Sequence, residues 1–219
     1  MQVTRLIQNR FIKIGLFVAF SFIWNHTPGI AAPLPQGNPC DPMGVLESRL
    51  ACIEGLTFEE QTKVPAPAGY RVFDMMYRQP INHDDPAGPS FDQKLVLFHS
   101  SYTAPMVLQT SGYQIFGSAL TNVARKFSAN QIQVEHRFFG SSVPSPKDWS
   151  KLNIRQSAAD FHRITQAFRP RYTGKWLNTG ASKGGMTSVF HRRFYPRRSG
   201  WNACRGCTAF VFHFRRAIC

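Results

Sequence analysis

Apolar positions along this chain fall into two periods, and the switches between them outline its elements. From Gly69 to Gln79, Tyr70, Val72, Met75 and Tyr77 mix alternation with apolar runs, as a strand does. Asn82 to Pro89 is a turn cluster of Asn, Asp, Gly and Pro. Lys94-Leu95-Val96-Leu97-Phe98-His99 is a continuous apolar run, the mark of a buried strand, and Met106 to Gln109 gives a third strand ending at Ser111-Gly112-Tyr113. Phe116, Leu120, Val123 and Phe127 then recur at helical spacing and predict an amphipathic helix. Gln131 to Phe139 predicts a fourth strand ending at Gly140. After a proline-containing loop (Pro144, Pro146), Asn153 and Gln156 have capping-box spacing. Ile154, Ala158, Phe161, Thr165 and Phe168 mark a second helical face, closed by Pro170. Gly174 to Thr179 reads as a fifth strand, and Gly185 to Tyr195 as a helix stopped by Pro196. Strand and helix alternate in this later part, which predicts an α/β fold with a mostly parallel sheet and flanking helices. Residues 33–69, rich in Pro and Gly, read as an irregular lead-in, and no internal repeat or second-domain boundary is visible.

The fifth strand and the last helix meet at Gly180-Ala181-Ser182-Lys183-Gly184. This is the Gly-x-Ser-x-Gly spacing of a nucleophile elbow, set in the strand–turn–helix context that gives the motif its meaning. Glycines let the backbone turn sharply without Cβ clashes. The turn lifts the Ser182 hydroxyl clear of the sheet, while the helix N-terminus offers backbone N–H groups and positive dipole to a developing oxyanion.

The chain has 219 residues, 43% hydrophobic, enough for one domain with a real core. Its net charge of +14 is unevenly placed: residues 33–160 hold 11 Lys/Arg against 12 Asp/Glu, and residues 161–219 hold 12 Lys/Arg and no acid. With the basicity confined to one end and no aromatic–basic repeat, no nucleic-acid partner is expected. Arg5, Arg10 and Lys13 precede an apolar core from Ile14 to Trp24, and Pro28-Gly29-Ile30-Ala31-Ala32 offers small residues for cleavage. Residues 1–32 are therefore predicted to be a secretory signal peptide cleaved near Ala31 or Ala32. The apolar run falls short of the ~20 residues that span a bilayer, so no stable membrane insertion is expected after cleavage. Export implies an oxidising compartment, secreted or periplasmic, and Cys40 and Cys52 lie close enough in sequence to close a small disulfide loop. Cys204 and Cys207 have C-x-x-C spacing but lack both a strand-to-helix context and a second ligand pair, so the spacing reads as accidental. No Cys, His or Asp cluster has metal-ligand spacing, and no cofactor is expected.

From Phe98 to Pro196 the chain resembles the secreted bacterial prolyl tri-/tetrapeptidyl aminopeptidases, α/β-hydrolase serine peptidases related to prolyl carboxypeptidase and dipeptidyl peptidase II. The matching stretches are Glu135-His136-Arg137-Phe138-Phe139-Gly140, Asp148-Trp149-Ser150-Lys151-Leu152 and Ala158-Ala159-Asp160-Phe161-His162-Arg163-Ile164. The most specific are Thr179-Gly180-Ala181-Ser182-Lys183-Gly184-Gly185-Met186-Thr187 and Arg192-Arg193-Phe194-Tyr195-Pro196. The resemblance implies an exported exopeptidase acting on peptide substrates, releasing short, Pro-containing peptides from free N-termini through an acyl-enzyme. It makes Ser182 the nucleophile and the Lys183 backbone N–H one oxyanion donor, with the second donor from the loop near Gly112 and Tyr113. Residues 70–196 then correspond to the N-terminal part of the catalytic domain.

A serine hydroxyl needs a base held by a carboxylate, and α/β-hydrolases supply them in the order Ser, Asp or Glu, His. Only 37 residues follow Ser182 and none is acidic. His191 falls on the helix just after the elbow, and His213 in a short tail. Residues 197–219, with five Arg, three Cys and no acid, read as an aberrant, unstructured basic tail, either out of frame or truncated. Such an end is expected to leave a central strand edge unpaired and the protein poorly soluble. A Ser182–Lys183 pairing is disfavoured, because adjacent side chains on a turn diverge. Glu135 is open to two readings: it meets the free amino group of a peptide, or it pairs with Arg137 or a neighbouring helix. His136 and His99 read as packed polar residues, and Asp160 as solvated or salt-bridged. Two other classes stay open, a catalytically inactive truncated remnant and a secreted esterase-type α/β-hydrolase.

Overall fold

Leu95, Val96, Leu97 and Phe98 are all buried, although successive strand side chains point to opposite faces. The sheet that contains them must therefore be covered on both sides. The computed structural model describes residues 40–196 and the backbone of residues 201–205, all within the unit Gly37–Cys219. The expected leader over residues 1–32, together with Cys207, His213 and Cys219, lies outside the described residues.

Among the described residues, seven strands form one sheet: β1 (Leu56–Glu60), β2 (Arg71–Pro80), β3 (Ser90–His99), β4 (Met106–Thr110), β5 (Asn130–Val134), β6 (Trp176–Ala181) and β7 (Trp201–Arg205). The spatial order is β1-β2-β3-β5-β4-β6-β7. β1, β2, β3 and β5 pair antiparallel in turn, whereas β5/β4, β4/β6 and β6/β7 are parallel. One face carries Phe73, Leu95, Leu97 and Ile132 under α1 (Leu46–Ala51) and α3 (Ile154–Phe168). The other carries Val72, Val96, Phe98 and Val107 under α2 (Asn122–Lys126). The helix α4 (Lys183–Phe194) packs beside α3 and against β6. This is an α/β architecture in which the parallel strands carry the elbow and the antiparallel strands extend one edge. Among the described residues, no helix is long and apolar enough to cross a membrane.

Four expectations need correction. The lead-in is ordered from Cys40: α1 and β1 lie within residues 33–69, and a disulfide joins Cys40 to Cys52. The helix expected from Phe116 is short, beginning only at the Thr121 cap, and Phe116 and Phe127 are 86% and 59% exposed. The reason is competition for the backbone. Gln131 accepts from the Thr121 N–H at 2.8 Å and donates to the Ala119 carbonyl at 2.9 Å, while Glu135 accepts from the Ile115 N–H at 2.9 Å. These side-chain bonds hold the segment as a loop.

The fourth predicted strand stops at Val134. Glu135 turns back to accept from the N–H groups of Ser141 and Ser142 at 2.8 and 3.1 Å, and Phe138 sits at φ 68°. Finally, residues 201–205 are not unstructured. They form β7, in register with β6 from Leu177↔Trp201 to Ala181↔Arg205, so the edge of β6 expected to be open is paired.

Helix α3 follows its predicted face, apart from Ile154, which is exposed. Its cap is half of a capping box: Asn153 Oδ1 accepts from the Gln156 N–H at 3.0 Å, but Gln156 Oε1 accepts from the His83 N–H at 2.8 Å instead of returning to Asn153.

Candidate active site

β6 ends at Ala181, and the backbone then turns through Ser182 at φ 51°, ψ −127° before α4 begins. A non-glycine residue in such a region costs about 1–3 kcal/mol and persists only where its surroundings enforce it. Here the surroundings are close approaches of backbone to backbone. A Cβ on Gly180 would run into the Gly184 carbonyl, and one on Gly184 into the Thr110 carbonyl oxygen. The two flanking glycines are thus required by the contact between β6, the first turn of α4 and β4. Thr110 and Thr187 lock that contact, both hydroxyls donating to the Gly184 carbonyl, at 2.7 and 2.8 Å.

The first turn of a helix leaves N–H groups outside the intrahelical ladder and carries partial positive charge. In α4 the ladder opens with Met186 N–H donating to the Ser182 carbonyl at 3.1 Å, so the Lys183 N–H stands ahead of it. The loop after β4 comes to the same place: a Cβ on Gly112 would lie 2.6 Å from Lys183 Cβ and 2.7 Å from the Gly184 nitrogen. Ser182, Lys183 and Gly112 are therefore gathered at one point. Tyr113 is held beside them, its carbonyl accepting from the His136 N–H at 3.1 Å.

The Lys183 ammonium lies 4.6 Å from the centroid of the Tyr113 ring and 4.5 Å from that of Phe139. The two rings meet edge to face at 5.3 Å. Partial burial pushes the Lys183 amine below its ordinary pKa. Sequence reasoning names Tyr113 for the backbone of its loop and not for its ring, and gives Phe139 no site role. The available signal was Phe138-Phe139-Gly140 directly after a buried strand, where a turn brings an aromatic residue back over the strand ends.

Glu135 is buried, and its carboxylate accepts from the N–H groups of Ile115, Ser141 and Ser142 and from the Ser142 hydroxyl. It fastens the loops on either side of the site together. Arg137 binds Asp160 instead, at 2.7 Å, so the Glu135–Arg137 pair, one of the readings open for Glu135, does not form, and Asp160 is salt-bridged and buried. His136 is buried, with Nδ1 2.8 Å from the Arg137 carbonyl and Nε2 3.2 Å from Ser157 Oγ, and burial pushes its pKa down to about 4. His99 lies 3.0 Å from the Tyr172 hydroxyl through Nδ1, and burial pushes it down to about 4 as well. His191, nine residues beyond Ser182 and so about 13 Å further along α4, is buried, with Nδ1 2.8 Å from Asn178 Nδ2. Burial, aided by His162 and Arg192, drives its pKa to about 3. Among the described residues, no group of three or more His, Cys, Asp or Glu is placed to hold a metal ion.

A cleft of about 240 Å³ opens between the N-terminal turns of α3 and α4, lined by His136, Ile154, Ser157, Lys183, Met186 and Phe190 among others. A groove of about 410 Å³ lies over β1, β2 and β3, reaching Ser141, and shares no residue with the elbow.

The chain is 41% identical over 171 residues to the prolyl tri/tetrapeptidyl aminopeptidase of Streptomyces mobaraensis, covering 78% of this chain and 34% of that protein. It thus spans about a third of the length of that curated relative. Superposition on acetyl xylan esterase 1 from Thermoanaerobacterium sp. gives a TM-score of 0.46 at 11% identity, over 65% of this chain and 49% of the other. A cold-adapted esterase from an Arctic intertidal metagenomic library gives 0.45 at 10% identity, over 64% and 62%. The model of the PS-10 peptidase S37 family matches residues 41–211, most of the chain and well past the elbow helix, and the chain belongs to that family.

Proposed function

We propose that this chain carries the nucleophile and oxyanion hole of a secreted serine exopeptidase that releases short, Pro-containing peptides from free N-termini. One observation carries the reading: Ser182 at positive φ between β6 and α4, with the Gly112 loop lying against the first turn of that helix. In this reading the Ser182 hydroxyl attacks the scissile carbonyl carbon and gives up its proton to a base. The carbonyl electron pair moves to oxygen, which accepts from the Lys183 N–H and from a second backbone donor of the Gly112–Tyr113 loop. Collapse of this intermediate expels the protonated amine and leaves an acyl-enzyme, which water hydrolyses. The reading also calls for a base and a carboxylate to orient it. His136 and His191 are engaged elsewhere, and the carboxylates of Glu135 and Asp160 are occupied.

Substrate and location belong to the same proposal. The relative's name supplies the peptide length and the prolyl preference. The leader at residues 1–32, cleaved near Ala31 or Ala32, supplies export, and the Cys40–Cys52 disulfide supports an oxidising destination.

The test is product analysis with the purified chain, verified as folded by circular dichroism. The substrate is a tripeptidyl amide with a free N-terminus and Pro before the scissile bond. Release of the intact tripeptide, abolished by Ser182→Ala and by N-acetylation of the substrate, is the expected result. No release by folded protein, release that survives Ser182→Ala, or ester cleavage without amide cleavage contradicts it.

A further inference from the structure

Lys183 immediately follows the nucleophile in the motif, yet its side chain does not extend into solvent. It reaches across to two rings from two other segments, Tyr113 of the loop after β4 and Phe139 of the turn after β5. A cation within about 6 Å of an aromatic centroid is attracted by the ring's negative face, and more strongly when partly desolvated. Both rings here are inside that range. The Tyr113 loop has few other ties at its tip: the His136 N–H to the Tyr113 carbonyl, and the Ile115 N–H to Glu135. Those bonds fix the loop to the turn after β5. Lys183 fixes it to α4, the element that begins with Ser182. The turn bearing Phe139 is held independently, because Glu135 binds the N–H groups of Ser141 and Ser142. Lys183 therefore adds a tie from this loop to α4, beside the one that Glu135 makes to the turn carrying Phe139.

We propose that Lys183 is a positioning residue whose ammonium, clamped between Tyr113 and Phe139, holds the Gly112–Tyr113 loop against the elbow so that the loop's backbone donor meets the oxyanion. This rests on the reading of Ser182 as nucleophile. Oxyanion stabilisation depends on donors placed in advance, and a loop free to drift by an ångström loses most of it. The clamp gives the cation beside the serine a role that needs no proton transfer. Its work is done by the position of its charge between the rings.

The experiment compares wild type, Lys183→Met and Lys183→Arg in two ways. Hydrogen exchange by mass spectrometry follows residues 111–117, and a fluorophosphonate probe gives the second-order rate of labelling at Ser182. Lys183→Met keeps the apolar stem and removes the charge. It is expected to speed exchange in that segment several-fold while leaving β2 and β3 unchanged, and to slow labelling by ten-fold or more. Lys183→Arg, which keeps a cation over the rings, is expected to restore both. Exchange in Lys183→Met equal to wild type overturns the proposal, as does Lys183→Arg behaving like Lys183→Met. If Lys183→Met does not fold, Phe139→Leu removes one ring and leaves the charge, with the same expectation and the same contrary result. A wild-type protein that fails to label, yet shows the expected exchange pattern, removes the nucleophile reading and leaves the clamp standing.

Discussion

Arg137 grips Asp160 with two prongs, Nε to Oδ2 at 2.7 Å and Nη2 to Oδ1 at 2.8 Å, both side chains fully buried. The rest of the guanidinium is also used. Nη1 donates to the carbonyls of Ile81 and Lys151 at 2.9 and 3.0 Å, and Nη2 to that of Pro80 at 3.3 Å. His83 Nε2 lies 2.7 Å from Asp160 Oδ1. This network ties the turn after β5, which presents Phe139 to Lys183, to α3 and to the end of β2. Breaking a buried pair by removing one partner leaves a buried charge unpaired and costs about 3–5 kcal/mol. Arg137→Met is expected to lower unfolding free energy by that amount in urea titration. A loss below about 1 kcal/mol, the scale of an exposed pair, contradicts the account.

The same pair sets an acid limit. Burial alone would raise the Asp160 carboxyl, but the charge and hydrogen bonds of Arg137 and the bond from His83 hold it below the ordinary carboxylate range. A depressed folded pKa contributes stability above the unfolded value, near 4, and that contribution is lost as pH falls toward the folded value. Stability is expected to drop steeply below about pH 4. A midpoint that does not move there contradicts it.

Three histidines act in a milder range. Burial comes first among the causes that push His136 and His99 to about 4 and His191 to about 3. Unfolded histidine titrates near 6.5, so between about 6.5 and 4 the unfolded chain binds more protons than the folded one, and stability falls as pH falls. About two to three protons are expected to be taken up on unfolding near pH 5.5, read from the pH slope of the denaturation free energy. A flat profile between pH 7 and 5 is the contrary outcome.

The strain at Ser182 predicts an opposition between stability and chemistry. Glycine adopts φ 51° without a Cβ penalty. Ser182→Gly is expected to gain about 1 kcal/mol or more in calorimetry while abolishing turnover. A Ser182→Gly protein less stable than wild type contradicts the strained geometry.

Closure of a short loop by Cys40–Cys52, separated by 12 residues, restricts the unfolded chain. Replacing both cysteines by serine is expected to cost about 3 kcal/mol, read as a lower denaturant midpoint. An unchanged midpoint contradicts it.

The sequence made the interior strands legible because Leu95-Val96-Leu97-Phe98 and its neighbours are buried on both faces, leaving no polar face to blur the pattern. The elbow was legible because its two glycines are required by backbone contacts that no other residue permits. Less legible was whatever depends on partners distant in the chain. β1 is a five-residue strand, half-buried, whose signal is lost among prolines and glycines. β7 follows a charged segment and gains its pairing from β6. The shortened α2 depends on Gln131 and Glu135, which compete for its backbone. Glu135 itself offers two carboxylate oxygens to any nearby donor, and only the fold reveals that loop N–H groups take them.

The most direct measurement is mass-spectrometric mapping of a fluorophosphonate adduct on the folded chain. The account predicts a single adduct on the peptide containing Ser182, absent from Ser182→Ala and from denatured protein. Folded protein with no adduct, or with the adduct on another serine, contradicts it.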